Sequence, residues 1–142
     1  MTRWIETIRF EQPVPYAAMM ALQQKRREAV ERGAASNTLF LLEHTPVITL
    51  GRKSDPANVL LSREELAKRG IELVETDRGG DVTYHGPGQL VAYPVLALTA
   101  WKQSYRWYLR SLESVLIALL RGYGLQAERA EGFTGVWVNG AK

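Results

Sequence analysis

The sequence contains no cysteine among its 142 residues, and it has only two histidines, His44 and His85. Without thiols, the chain can form neither a disulfide bond nor a thiolate metal site. Neither histidine is followed three or four residues later by another metal-binding side chain. We therefore expect no metal site in these residues.

Long apolar runs and basic runs are also missing. No stretch approaches the roughly 18 apolar residues of a transmembrane helix. Charges at Arg3, Glu6, Arg9 and Glu11 leave no apolar core for a signal peptide. No basic run with interleaved aromatic residues points to nucleic acid. The sequence thus predicts a cytoplasmic protein with no membrane or nucleic-acid partner.

The charged residues are balanced and interspersed. The net charge is +3, from 18 Lys and Arg against 15 Asp and Glu. The segment QQKRREAVERG shows this pattern and is typical of a solvated helix face. The alternative is a mildly basic surface for an acidic protein partner, because net charge bears on association rather than on fold.

Hydrophobic residues make up 46% of the chain, and its length suits one domain, spanning residues 1–142. Residue periodicity predicts strands and helices in alternation without a strict βαβ rhythm. This pattern favours an α+β fold with helices against a mostly antiparallel or mixed sheet. The predicted strands are 4–10, 37–44, 47–51, 71–76, 81–85 and 89–98, with a further strand near 125–128, and the predicted helices are 16–33, 62–70 and 104–123.

The predicted helices carry distinct signals. Ser62 and Glu65 have the spacing of a capping box, and Leu61 and Leu66 that of a hydrophobic staple. Gly33 is the expected C-terminal cap of the first helix. That helix has a predicted inner face of Tyr16, Met19, Met20, Gln23, Arg27 and Val30. The last helix is indicated by apolar and aromatic residues that recur at three- and four-residue steps, which are Tyr105, Tyr108, Leu109, Leu112, Val115, Leu116, Leu119 and Leu120.

The last residues, GVWVNGAK, read as a strand that enters a type I′ hairpin turn at Asn139-Gly140. The returning strand should occupy about five residues after such a turn, but only Ala141 and Lys142 follow. We therefore expect that the sequence is cut short at its C-terminal end.

The most unusual segment is RGGDVTYHGPGQLVAYP, residues 78–94. Its glycines allow backbone to approach a ligand closely, but they match neither common nucleotide-binding loop. Arg78 can offer a fork of donors, and His85 can titrate near neutral pH. A plain glycine-rich hairpin with a surface arginine remains possible. A Ser–His–Asp site with Asp81 is conceivable, although no motif places a serine and a turn or rim position suits Asp81 better.

This segment closely resembles the signature of the lipoyl(octanoyl) transferases. The segments LLEHTPVITLGR, YAAMMALQQKRREA and TGVWVNGAK also match, so that the resemblance covers nearly the whole chain in order. It implies an α+β fold like that of the catalytic domains of lipoate and biotin protein ligases. It also implies transfer of an octanoyl group from octanoyl-acyl carrier protein, with no cofactor. The acceptors would be lysines on lipoyl domains of 2-oxoacid dehydrogenases and on glycine-cleavage H protein.

The resemblance also assigns roles to residues. Lys142 matches the lysine that lowers the pKa of a nucleophilic cysteine, which carries the acyl chain as a thioester. The substrate-binding segment corresponds to Arg78, Gly79, Gly80, Asp81, Val82, Thr83, Tyr84 and His85. Gly79 and Gly80 would shape an acyl and pantetheine tunnel, and Arg78 and His85 would hold the carbonyl end. Thr83, Tyr84, Gln89 and Tyr93 would shape the pocket.

The sequence departs from the family in one respect, because the family's cysteine lies beyond Lys142. We therefore expect these 142 residues alone to form no acyl-enzyme. Two other functions stay open. One is an ATP-dependent relative of the lipoate–protein ligases. The other is a noncatalytic module that docks acyl carrier protein or a lipoyl domain.

Overall fold

A computed structural model describes residues 4–142, which form two compact units, residues 4–97 and residues 98–142. The first unit contains two three-stranded sheets, and the second contains a long helix and a two-stranded sheet.

The first sheet of the 4–97 unit has the strand order β1–β2–β6. Strand β1 (Ile5–Arg9) leads into helix α1 (Tyr16–Glu31) and then into β2 (Asn37–Leu42), which lies parallel to β1. Strand β6 (Val91–Val95) pairs with the other edge of β2 in the antiparallel direction. The middle strand of this sheet is therefore the apolar β2.

The second sheet repeats this plan with the order β4–β3–β5. Strand β3 (Val47–Leu50) is followed by a 3₁₀ turn (Pro56–Asn58), helix α2 (Arg63–Lys68) and the parallel strand β4 (Glu72–Glu75). Strand β5 (Val82–His85) pairs antiparallel to β3.

Each sheet is thus a βαβ unit with one antiparallel strand added. The predicted α+β class with a mixed sheet is confirmed, and so is the lack of a strict βαβ rhythm along the chain, because β2 runs directly into β3 and β5 into β6. The second crossover contains a helix of only six residues inside a long connection, and periodicity does not reveal which strands it joins.

The core of the first sheet lies under α1, where Met19, Phe40 and Leu42 are fully or almost fully buried. The predicted inner face of α1 is confirmed at Tyr16, Met19 and Val30, but Arg27 is exposed. Arg26 is half-buried in its place; its guanidinium donates to Glu6 at 2.9 Å and lies 5.9 Å from the Phe40 ring centre.

The predicted start of α2 is confirmed in both halves of its capping box. The Glu65 amide donates to Ser62 Oγ at 3.2 Å, and the Ser62 amide donates to Glu65 Oε2 at 2.9 Å. These bonds satisfy two backbone donors that a helix start leaves unpaired. Leu66 is 1% exposed and anchors the helix.

The 98–142 unit contains a 3₁₀ turn (Leu98–Ala100), helix α3 (Tyr105–Gly122), and strands β7 (Ala127–Glu128) and β8 (Trp137–Val138), which pair antiparallel. Ser104 caps α3, because its side chain accepts a hydrogen bond from the Trp107 amide. The predicted helix 104–123 is confirmed. Five of its regularly spaced apolar and aromatic residues are exposed, namely Tyr105, Leu109, Val115, Leu116 and Leu119.

The predicted hairpin turn after β8 is confirmed. Asn139 and Gly140 have φ values of 50° and 78°, and Val138 and Ala141 exchange hydrogen bonds of 2.8 and 3.0 Å. None of the helices within residues 4–142 is long and apolar enough to cross a bilayer.

Candidate functional site

The loop that precedes β5 packs against the backbone that follows β3. The Arg52 amide donates to the Arg78 carbonyl at 3.0 Å, and the Lys53 amide donates to the Gly80 carbonyl at 3.3 Å. The glycine-rich loop is therefore held along its length by residues that continue the neighbouring strand.

Arg78 fastens this loop from within. Its Nε and Nη2 donate to Thr49 Oγ1 at 3.0 and 2.8 Å, and Nη2 also donates to the carbonyls of Thr49 and Asp81. Nη1 donates to the Gly79 carbonyl at 2.9 Å. Most N–H groups of the guanidinium therefore donate to atoms of the protein itself. Thr49, the main acceptor, is completely buried.

Gly51 makes this close packing possible. A Cβ at position 51 would lie 2.3 Å from the Gly80 carbonyl oxygen, which is far inside van der Waals contact. On the other side of the loop, a Cβ at Gly79 would meet nothing within 4 Å. The loop therefore presents one packed side and one open, bare-backbone side that a ligand could approach.

Asp81 occupies the rim of this loop, as its sequence context indicated. Its Oδ1 accepts from the Asp55 amide at 3.1 Å and its Oδ2 accepts from Asn58 Nδ2 at 2.6 Å. Both oxygens thus bind the 3₁₀ turn and not His85, so the Ser–His–Asp hypothesis is wrong.

A tight turn follows β5 and carries His85 into position. Pro87 occupies its second place and Gly88, with φ 90°, its third, and the Gln89 amide donates to the Gly86 carbonyl at 3.1 Å. This is the pattern of a type II turn. It brings the Gln89 side-chain oxygen against His85 Nδ1.

The hydrogen bonds assign a role to each His85 nitrogen. Gln89 Nε2 donates to the Tyr84 carbonyl, which turns Oε1 toward the histidine. An amide oxygen can only accept, so His85 Nδ1 carries the proton in this arrangement. Its Nε2 has no hydrogen-bond partner among residues 4–142 and is left for a ligand.

His44 lies beside His85, with 5.7 Å between the ring centres, and it is fully buried. His44 Nδ1 lies 2.8 Å from the Val14 carbonyl, and Nε2 lies 2.9 Å from the Tyr93 hydroxyl. The carbonyl requires Nδ1 to be the donor, so the Tyr93 O–H donates to Nε2. A neutral imidazole therefore satisfies every contact of His44.

The pKa values in this cluster favour neutral side chains. Burial lowers the pKa of His44, and the neighbouring His85 lowers it further. Burial raises the pKa of Tyr93 to about 12 and also raises the pKa of Tyr16, whose ring centre lies 5.2 Å from that of His44. The bonded Tyr93–His44 pair thus forms an uncharged wall beside His85.

Lys142 belongs to the 98–142 unit. Its aliphatic chain lies over Gly135, where an added Cβ would come within 2.6 Å of Lys142 Cε. Residues 78–85 lie together in the other unit, as a loop and the strand β5.

Residues 15–142 match the family model described as the lipoyl protein ligase A/B catalytic domain. The chain belongs to this family.

Curated relatives of this chain are named octanoyltransferases. The protein of that name from Chloroflexus aurantiacus is 48% identical over 95% of the chain. The one from Gloeobacter violaceus is 55% identical over 75% of the chain. The chain spans 61% of the length of the first relative and 46% of the second.

Solved structures share the fold of this family chain. A bipartite lipoate protein ligase from Thermoplasma acidophilum, solved in work on an archaeal lipoylation system, aligns with a TM-score of 0.61 at 21% identity. That alignment covers 96% of this chain and 52% of the other. A lipoate-protein ligase A bound with ATP aligns with a TM-score of 0.62 at 21% identity, covering 98% and 54%. The predicted likeness to lipoate ligase catalytic domains is thereby confirmed.

The sequence did not predict that His44 would be buried beside His85 and bonded to Tyr93. Each histidine stands at or just after the end of a strand and precedes a proline by two residues, as HTP at 44–46 and HGP at 85–87. The connections β2–β3 and β5–β6 both pass from one sheet to the other. Because β2 pairs with β6 and β3 pairs with β5, the two histidines meet where these connections cross. The repeated motif was the available signal.

Proposed function

We propose that the protein containing these residues transfers an octanoyl group from octanoyl-acyl carrier protein to a lysine of an acceptor protein. The acceptors are lipoyl domains of 2-oxoacid dehydrogenases and glycine-cleavage H protein, and the reaction takes place in the cytoplasm. The observation that carries the proposal is 48% identity to a relative named octanoyltransferase across 95% of the chain. The family match runs through both compact units, which supports one catalytic domain.

The chemistry would proceed in two acyl transfers. A cysteine thiolate attacks the thioester carbonyl of the donor, and the carrier's thiol leaves as the acyl-enzyme forms. The acceptor lysine amine then attacks the new thioester and regenerates the cysteine. Because residues 1–142 contain no cysteine, the proposal requires one elsewhere in the protein. Lys142 would favour the thiolate by its positive charge, since a free thiol has a pKa of about 8.5.

The substrate-binding segment would be Arg78, Gly79, Gly80, Asp81, Val82, Thr83, Tyr84 and His85. The open side of the Gly79–Gly80 backbone supports a role as a wall for the acyl and pantetheine chain. His85 Nε2 has no hydrogen-bond partner among residues 4–142 and would face the carbonyl end. Arg78 would act by holding the loop, because its donors already bind Thr49, Gly79 and Asp81.

The test is the intact mass of the longer protein before and after incubation with octanoyl-acyl carrier protein. We expect a hydroxylamine-sensitive octanoyl adduct that disappears when a lipoyl domain is added. The chain of residues 1–142 serves as the matched control and should form no adduct. An intact protein that forms no adduct and octanoylates no lipoyl domain would refute the proposal.

The likeness to a lipoate-protein ligase A bound with ATP favours a second candidate, the ATP-dependent activation of a free fatty acid. Incubation with octanoate, ATP and a lipoyl domain separates the two. Octanoylation under those conditions, with none from the acyl-carrier donor, would support the ligase. Binding to acyl carrier protein or to a lipoyl domain without any acyl transfer would instead indicate a docking module.

A further inference from the structure

Glu113 is the one buried residue of helix α3, with 4% of its surface exposed. Several large apolar side chains of that helix are exposed, among them Val115 at 65% and Leu119 at 49%. A carboxylate is expensive to bury unless it is paired and hydrogen-bonded, so this position calls for an explanation.

Three donors converge on the Glu113 carboxylate. Oε2 accepts from Arg110 Nη1 at 2.7 Å and from Arg129 Nε at 2.9 Å, and Oε1 accepts from the Gly135 amide at 3.0 Å. The Arg110 and Gly135 bonds are the main reasons that the pKa of Glu113 is lowered. The carboxylate therefore stays ionised and ties helix α3 to the segment between β7 and β8.

This network fixes the position of Gly135, because Glu113 binds the Gly135 amide directly and Arg129 from the same segment. Arg129 adds bonds to the Arg110 carbonyl and to Ser114 Oγ, so that the segment is held at two points. Gly135 has φ 102°, a conformation that other residues rarely adopt. Its bare Cα leaves the space that the aliphatic chain of Lys142 fills.

We propose that Glu113 is a positioning residue for Lys142. Glu113 binds the Gly135 amide, and the aliphatic chain of Lys142 packs against the bare Cα of Gly135. All of these residues belong to the 98–142 unit. The functional consequence rests on the proposed role of Lys142 in acyl transfer, whereas the positioning itself does not.

The positioning is tested by NMR on the chain of residues 1–142. The wild type should show a nuclear Overhauser effect between the Gly135 Hα and Lys142 Hε protons. Glu113→Gln should lose it with helix content unchanged in circular dichroism, since the neutral amide no longer pairs with two arginines. Glu131→Gln removes an exposed carboxylate from the same segment and should retain it. If Glu113→Gln reduces helix content, Glu113→Ala is the deciding variant, because it removes the oxygen that accepts from the Gly135 amide and places the strongest helix former in α3; it should also lose the effect.

Retention of this Overhauser effect in the folded Glu113→Gln or Glu113→Ala variant would overturn the proposal, whatever the activity. In the longer protein, Glu113→Gln should lower kcat about 10²-fold with little change in KM, as expected for a misplaced reacting group. A loss of the Overhauser effect with unchanged kcat would overturn the functional part. Absence of octanoyl transfer in the wild type would instead refute the proposed function and leave the positioning result standing.

Discussion

Replacing Tyr93 with Phe deletes one hydroxyl and leaves the aromatic ring in the core. That hydroxyl donates to His44 Nε2 at 2.9 Å, and His44 is fully buried. In the variant, the imidazole loses its hydrogen-bond donor in a place where a water molecule has no access. The Val14 carbonyl continues to hold Nδ1 and so preserves the tautomer.

The expected cost of Tyr93→Phe follows from the unpaired acceptor. Leaving a buried hydrogen-bonding group unsatisfied costs about 1–3 kcal/mol. At about 4 °C for each kcal/mol in a unit of this size, the Tm should fall by roughly 4–12 °C. No cavity term is added, because the ring keeps its volume.

Urea denaturation at pH 7.5, followed by far-UV circular dichroism, measures this cost. The matched control is Tyr84→Phe in the same segment, where the side chain is 50% exposed; its free energy of unfolding should stay within about 0.5 kcal/mol of wild type. Equal stability of the Tyr93 and Tyr84 variants, with equal m-values, would refute the reasoning. It would mean that the Tyr93–His44 bond does not satisfy a buried group.

Three further predictions concern single positions. Gly51→Ala should displace the Gly80 carbonyl and destabilise the chain by about 1–3 kcal/mol, an overpacking cost; denaturation and amide shifts confined to the loop would show this, and unchanged loop shifts would contradict it. Ser62→Ala should cost about 0.5–2 kcal/mol through loss of the capping box with Glu65; a neutral effect in urea melts would argue against that cap. Unfolded His44 titrates near pKa 6.5, and burial lowers its folded pKa. The unfolded state therefore binds more protons below about pH 6.5, and stability should fall as pH drops through that value, a slope that His44→Gln should reduce.

Much of the local structure could be predicted from residue pattern alone. The strand β1, the cap at Ser62 and the Asn139-Gly140 turn depend on neighbouring residues, and all three are confirmed. The long motif at 78–94 also identified the family, because glycine, arginine and histidine stand there in a fixed order.

The remaining features depend on contacts between distant residues. Arg78 looked free to bind a carbonyl, but the fold brings the Thr49 and Asp81 carbonyls within its reach. The periodicity of α3 showed which side is apolar, and could not show that Glu113 would be its buried residue. His44 lies beside His85 only because the β2–β3 and β5–β6 connections cross where they pass between the two sheets.

The pairing of β2 also has a consequence for how the chain is made. Strand β1, helix α1 and strand β2 emerge early in synthesis, whereas the partner of Thr38 is Val95, at the end of β6. Until β6 emerges, the apolar strand β2 has one edge with unpaired amides and carbonyls, which is a template for unwanted strand pairing. Closure of the first sheet therefore waits for its last strand, β6.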